Sequence, residues 1–109
     1  MTVNLVYITA GDLDEARSIG KSLVSERLAA CVNIIDNMRS LYWWDGAIQD
    51  EKEVVLFAKT REGLVSRLIE KVKSEHSYDC PCIVTVPISD GNRAFLDWVE
   101  KETTPRAPD

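Results

Sequence analysis

Apolar and polar positions along the chain change period several times, and each change marks an element. VNLVYI (3–8) is a short apolar run rich in Val, Ile and Tyr, which predicts a strand buried on both faces. Ala16, Ile19, Gly20, Leu23, Val24 and Leu28 then recur at helical spacing with charges between them. That predicts an amphipathic helix over 12–28, with Asp12 as N-cap and Glu15 at capping-box spacing. AACVNII (29–35) returns to strand chemistry, and MRSLYWW (38–44) continues it. Asp45-Gly46 is a hairpin signal, because both residues tolerate positive φ. AIQDEKEVVLFAK (47–59) reads as the returning strand. Thr60 is placed to cap a second helix, whose stripe is Leu64, Val65, Leu68, Ile69 and Val72. CIVTVPI (82–88) is the fourth strand, and Asp90 begins a last helix with Phe95, Trp98 and Val99 on one face. Two prolines make 103–109 a frayed tail.

The order β-α-β-β-α-β plus a terminal helix predicts an α+β, ferredoxin-like sandwich: one antiparallel sheet with helices on one face. The second and third strands run about 13–15 residues each, against a mean near 5–6. Two helices cover only part of such a hairpin. Its far end carries LYWWDG, and consecutive strand residues point to opposite faces, so both faces of the tip are aromatic. An isolated hairpin of that kind is unstable in water. Either the C-terminal helix folds back over it, or Tyr42, Trp43 and Trp44 form a subunit interface. The second is the expectation, with hairpins pairing between subunits.

At 109 residues the chain is one domain, spanning 1–109, with no internal repeat or linker. A net charge of −5 removes the electrostatic reason to seek nucleic acid or anionic lipid, and suits cations instead. The split βαβ order is shared with RNA-recognition modules, but the strands lack their aromatic-basic signature. No apolar run approaches the ~20 residues that span a bilayer, and no basic leader opens the chain, so the expected compartment is the cytoplasm and no membrane partner is expected. Three cysteines are not a disulfide framework.

HSYDCPCIV (76–84) holds the only histidine and two of the three cysteines, and so invites a metal. Cys80 and Cys82 share a strand face at i and i+2, about 6.7 Å apart at Cα. Pro81 limits their convergence, so a soft ion such as Cu(I) suits them better than tetrahedral zinc. The competing reading is a pair of buried thiols. His76 ends the second helix, where a cationic ring interacts well with the dipole. Cys31 in its apolar strand reads by itself as a small buried hydrophobe. Glu53 and Lys59 lie an even number apart on one strand and read as a solvated charge pair. A Cys31 nucleophile with a His76 base is the minimum for an enzyme, but no oxyanion hole or third group supports it.

ERLAACVNI, SLYWWDGAIQDEKEVVLFAKT, HSYDCPCI and VPISDGNRAFLDW, in that order and spacing, resemble the CutA family of divalent-cation-tolerance proteins. The match covers nearly the whole chain. The resemblance implies a ferredoxin-like fold assembled as a homotrimer by intersubunit strand pairing, similar in architecture to the PII signalling trimers. It implies a non-enzymatic role in tolerance of copper and other divalent metals, with a divalent metal ion as ligand. Cys31 matches the characteristic cysteine and becomes the first metal-ligand candidate, with His76 second. His76 and Tyr78 become candidates for an intersubunit cleft together with Glu53 and Lys59. The PII comparison also carries an alternative: a signalling or scaffold trimer that binds a small anion or a protein in those clefts. Two features depart from the family pattern. Ser77 stands where proline is usual, which predicts a looser turn. Cys80 and Cys82 replace an aliphatic or polar residue and an acidic one, which makes them secondary metal candidates.

Overall fold

The computed structural model describes residues 2–104. Val3–Ala10 forms β1, Leu13–Ser25 α1, Cys31–Trp44 β2, and Ala47–Arg61 β3. A single 3-10 turn, Glu62–Leu64, leads into α2, Val65–Glu75; β4 (Ile83–Pro87) and α3 (Arg93–Thr103) complete the order. The four strands form one antiparallel sheet in the order β2-β3-β1-β4, which is the ferredoxin-like arrangement read from the pattern.

Register explains the core. Val6, Ile8 and Ala10 of β1 stand opposite Ala58, Leu56 and Val54 of β3, and all six are buried beneath α1 and α2. Ala16, Ile19 and Leu23 of α1 and Leu68 and Val72 of α2 supply the covering face. Val32 and Ile34 extend that layer from β2. The other sheet face carries Val3, Tyr7, Phe57, Lys59 and Cys31, and α3 covers one end of it. There Leu96 and Val99 pack with Val3, Ala30 and Ile88. The C-terminal helix therefore closes the end of the sheet away from the hairpin tip. Trp43 remains 72% exposed and Ile48 62%.

Several local expectations are corrected. α1 stops at Ser25, not at 28. Arg27 takes a left-handed φ of 58°, and the N–H groups of Leu28 and Ala29 both donate to the Leu23 carbonyl. Thr60 caps nothing. It continues β3, fully buried, and α2 begins at a Leu64 boundary with no side-chain cap. Asn92, not Asp90, caps α3, accepting from the Ala94 N–H at 3.1 Å. The buried stripe of α3 is Leu96, Val99 and Thr103; Phe95 and Trp98 face outward. Thr103 belongs to that helix rather than to a tail. Its hydroxyl donates to the Val99 carbonyl at 2.7 Å and accepts from Arg61 Nε at 3.2 Å. Residues 105–109 of the expected tail lie outside the described residues.

The hairpin matches its reading more closely. Asp45 (φ 51°) and Gly46 (φ 75°) make the two-residue turn, and fourteen- and fifteen-residue strands flank it. A bulge interrupts β2 between Ile35 and Met38, with Asn37 at φ 64°. It adds twist just where the hairpin leaves the layer under the helices.

Candidate functional site

Along the hairpin, from near its tip down to the end of β1, lies a cleft of about 410 Å³, lined by Thr9, Tyr42, Trp44, Gln49, Glu51, Glu53, Tyr78, Asp79, Cys80 and Cys82. One wall is the hairpin. Tyr42 and Trp44 alternate on β2, and Gln49, Glu51 and Glu53 alternate on β3, so all five share the sheet face opposite α1 and α2. The other wall is the segment from Tyr78 to Cys82, which joins α2 to β4.

A hydrogen-bond chain holds that segment against β1 and α1. Asp12 Oδ1 caps α1 by accepting from the Glu15 N–H at 2.8 Å. Glu15 then accepts from Gly11 N–H at 3.2 Å and from Ser77 N–H at 2.8 Å. Burial pushes the Glu15 carboxyl up, but its hydrogen bonds from Ser77 and Gly11 outweigh that and leave it below the ordinary glutamate value. The turn at Ser77 is thus tied down, not loosened. Proline there would have no N–H to give Glu15. Gly11 is closely packed: a Cβ there would stand 3.3 Å from Tyr78 Oη, and the phenol would have to shift by a few tenths of an ångström.

His76 ends α2 with both ring nitrogens committed. Nε2 lies 2.7 Å from the Thr9 carbonyl, which can only accept, so Nε2 carries the hydrogen. Nδ1 accepts from the Tyr78 N–H at 3.1 Å. The ring is therefore neutral in this arrangement and positions Tyr78, whose ring centroid lies 4.7 Å away. A helix-end imidazolium is not what the geometry uses. A metal would have to displace one of these two bonds.

Tyr78 Oη donates to Glu53 Oε2 at 2.9 Å, and Tyr42 Oη donates to Glu51 Oε2 at 2.8 Å. Burial first, then the hydrogen bond to Glu53, raise the Tyr78 phenol far above the ordinary tyrosine value. Burial, then the Glu53 charge, likewise raise the Cys82 thiol.

A family profile described as "CutA1 divalent ion tolerance protein" matches residues 4–102. The chain belongs to the CutA1 family. It is 44% identical over 99 residues to the divalent-cation tolerance protein CutA of Thermus thermophilus, covering 91% of this chain and 96% of that one. It is 41% identical to the chloroplastic Protein CutA 1 of rice, over 91% of this chain. There it spans only 56% of the relative's length. The fold superposes with a TM-score of 0.91 on a structure described as the periplasmic divalent cation tolerance protein CutA of Archaeoglobus fulgidus. The identity there is 41%, covering 94% of this chain and 99% of that one.

Within one CutA1 chain the expected site residues separate into two places. Cys31 is the cross-strand partner of Lys59, which in turn stands opposite Leu5. His76 sits at the level of Thr9, four residues further along β1, or about 13 Å. A single chain does not bring Cys31 and His76 together. Glu53 and Lys59 are not a charge pair either. Six residues of extended β3 put them about 20 Å apart. Lys59 Nζ instead donates to Asn33 Oδ1, while Glu53 serves Tyr78. Cys80 and Cys82 are exposed thiols, contrary to the buried reading, and Cys80 lies in a bend rather than a strand. Cys31 is partly buried. Among the described residues, no three His, Cys, Asp or Glu side chains converge on one point. Reading the sequence element by element missed Tyr42, Glu51 and Asp79 as cleft residues. The alternation of Tyr42 with Trp44, and of Glu51 with Glu53, was the available signal.

Proposed function

We propose that this CutA1 chain is a non-enzymatic, homotrimeric binder of divalent cations, copper foremost, that serves cation tolerance. The observation that carries the reading is the pair of exposed thiols, Cys80 and Cys82, two residues apart on a cleft with Glu53 and Asp79. Thiolates select soft ions, and two of them suffice for Cu(I). Cys31 and His76 enter the reading only through contacts between copies. His76 also requires release of Thr9 or Tyr78. The description of the relatives as divalent-cation tolerance proteins supports the general role. Unpaired exposed thiols suit a reducing compartment, and the cytoplasm is the proposed location. The described residues hold no helix long and apolar enough to cross a membrane.

The alternative of a small-anion ligand finds little support at this cleft, whose lining includes three carboxylates and no Lys or Arg. Calorimetric titration with Cu(I), Cu(II) and Zn(II) tests the proposal. Wild type is expected to bind copper in saturable fashion, and Cys80→Ser/Cys82→Ser to lose at least tenfold in affinity. Cys31→Ser and His76→Ala separate a site between copies from one within the cleft. Equal weak binding by wild type and all variants rejects a specific site.

A further inference from the structure

Two aspartates of the chain, Asp45 and Asp90, precede glycine. Glycine has no Cβ to shield its amide nitrogen, so that nitrogen can reach the side-chain carboxyl carbon of the residue before it. Both aspartates are exposed, so access to water does not distinguish them. Their backbones do. Asp45 and Gly46 form the two-residue turn at φ 51° and 75°, and the Trp44–Ala47 pair closes the ladder directly behind them. Ring closure there would swing the peptide plane between Asp45 and Gly46 out of that turn. Asp90 lies in a stretch without regular structure. The Ile88 N–H is tied to the Val3 carbonyl and the Asn92 carbonyl to the Leu96 N–H, but among the described residues no backbone–backbone hydrogen bond holds 89–91 between them. There the Gly91 N–H donates to Asp90 Oδ1 at 2.8 Å, so the carboxyl already lies against the nitrogen it would join. Asp36 has the same contact with the Asn37 N–H, at 2.7 Å, but Asn37 carries a Cβ and holds a left-handed φ of 64° in the bulge. Among the described residues, Asp90 alone combines the contact, the glycine and an untied backbone.

We propose that Asp90 is a site of spontaneous modification, where the side chain cyclises onto the Gly91 nitrogen and reopens as isoaspartate. The nitrogen forms a bond to Asp90 Cγ, and its hydrogen leaves with the carboxyl hydroxyl as one water. A water then adds to either carbonyl of the succinimide. Addition at Cγ breaks the new bond and restores aspartate. Addition at the main-chain carbonyl breaks the original peptide bond and routes the chain through Cβ and Cγ. One water leaves and one enters, so the step needs no oxidant and no cofactor. The product has one more carbon in the main chain directly before Asn92, whose side chain caps α3 through the Ala94 N–H at 3.1 Å. Leu96 and Val99 of α3 pack with Val3, so a displaced cap loosens the end of the sheet. The reopened form also presents a free α-carboxylate on an exposed segment. That group is the substrate of an isoaspartyl-directed carboxyl methyltransferase, which esterifies it with the methyl of S-adenosylmethionine. An enzyme of that class is the partner the site implies.

The test ages the full chain in its native assembly at physiological pH and temperature. Isoaspartate is located by peptide mapping with electron-transfer fragmentation. Its total is counted by labelled methyl transfer from S-adenosylmethionine with a purified isoaspartyl methyltransferase. Isoaspartate is expected at Asp90 about tenfold faster than at Asp45 or Asp36, and the aged protein should melt at a lower Tm than fresh protein. Gly91→Ala separates the chemistry from the fold. Gly91 has no positive φ, and a Cβ there would meet only Leu96, at 3.6 to 3.8 Å, so alanine fits. That variant should keep the Tm of fresh wild type and form isoaspartate at residue 90 about tenfold more slowly. In urea, where the hairpin turn is gone, Asp45 should convert as fast as Asp90. A persistent difference in urea would place the cause in the flanking sequence and overturn the structural argument. Equal rates at Asp45 and Asp90 in the folded chain overturn the proposal, as does an undiminished rate in Gly91→Ala. So does an unchanged Asp90 over the time in which a synthetic ISDGNR peptide converts.

Discussion

Glu15 uses both carboxylate oxygens on backbone, one for Gly11 and one for Ser77, and so links the first turn of α1 to the wall of the cleft. Its folded pKa lies below the free value of 4.5. A carboxylate lowered by folding adds stability above its unfolded pKa and loses that contribution as pH falls through its folded pKa. Glu15→Gln keeps one acceptor oxygen and turns the other into a donor, so it drops one bond, at a cost of about 1 kcal/mol near neutral pH. The stability gap between wild type and variant is expected to be full above pH 4.5 and to close below it. Urea denaturation at pH 7 and in steps through the acid range measures this; a gap that does not change with pH overturns it. The Asp12–Glu15 spacing was visible in the sequence because capping is local. The bond from Glu15 to Ser77 was not, since 62 residues separate its ends. The same limit hid the state of His76, whose two partners come from β1 and the cleft wall.

At the scale of elements, periodicity found every strand and helix but misplaced several ends and one face. Leu28 continues the apolar spacing of α1, and no glycine marks the stop, so nothing local announces Arg27 in the left-handed region. What holds it there is distant: Arg27 Nη1 donates to Glu102 at its carbonyl, 3.0 Å, and its carboxylate, 2.9 Å. α3 offered two adjacent stripes. Its aromatics Phe95 and Trp98 stay about 40% exposed while the narrower Leu96–Val99–Thr103 stripe meets the sheet. The hairpin was read well because its length and its Asp-Gly turn are encoded in consecutive residues, whereas the bulge at Asn37 has no comparable signature. Arg27 allows a clean test. Arg27→Ala and Arg27→Gly both remove the ties to Glu102, but only glycine relieves the left-handed backbone. Glycine is expected to be the more stable of the two by about 1 kcal/mol. Equal stability by thermal or chemical denaturation counts against strain at this position.

For the whole molecule, the question is what covers the apolar surface that one chain leaves in water. The chain measures 50 × 31 × 21 Å, elongated for its length. Leu41, Trp43 and Ile48 are all more than 60% exposed at the hairpin tip, and Ile35, Val84 and Val86 are about half exposed on the face beside α3. β2 and β4 are the two sheet edges, so backbone groups along both are also free to pair. Scattered exposed aliphatics are ordinary, but exposed apolar groups on both faces of a sheet with two open edges are the pattern of an interface. α3 closes only the far end, which removes the one intramolecular solution that the sequence offered. Association of three copies of the 12.3 kDa chain is the expected state, and equilibrium sedimentation measures it directly. Trp43 and Ile48 are cross-strand partners at the tip, where a single chain buries neither. Trp43→Ser/Ile48→Ser therefore removes little from the fold of one chain. It is expected to shift the mass toward monomer and to make Tm depend on protein concentration. If the double variant keeps the mass and the Tm of wild type, the hairpin tip does not hold the assembly, and the open sheet face must do so alone.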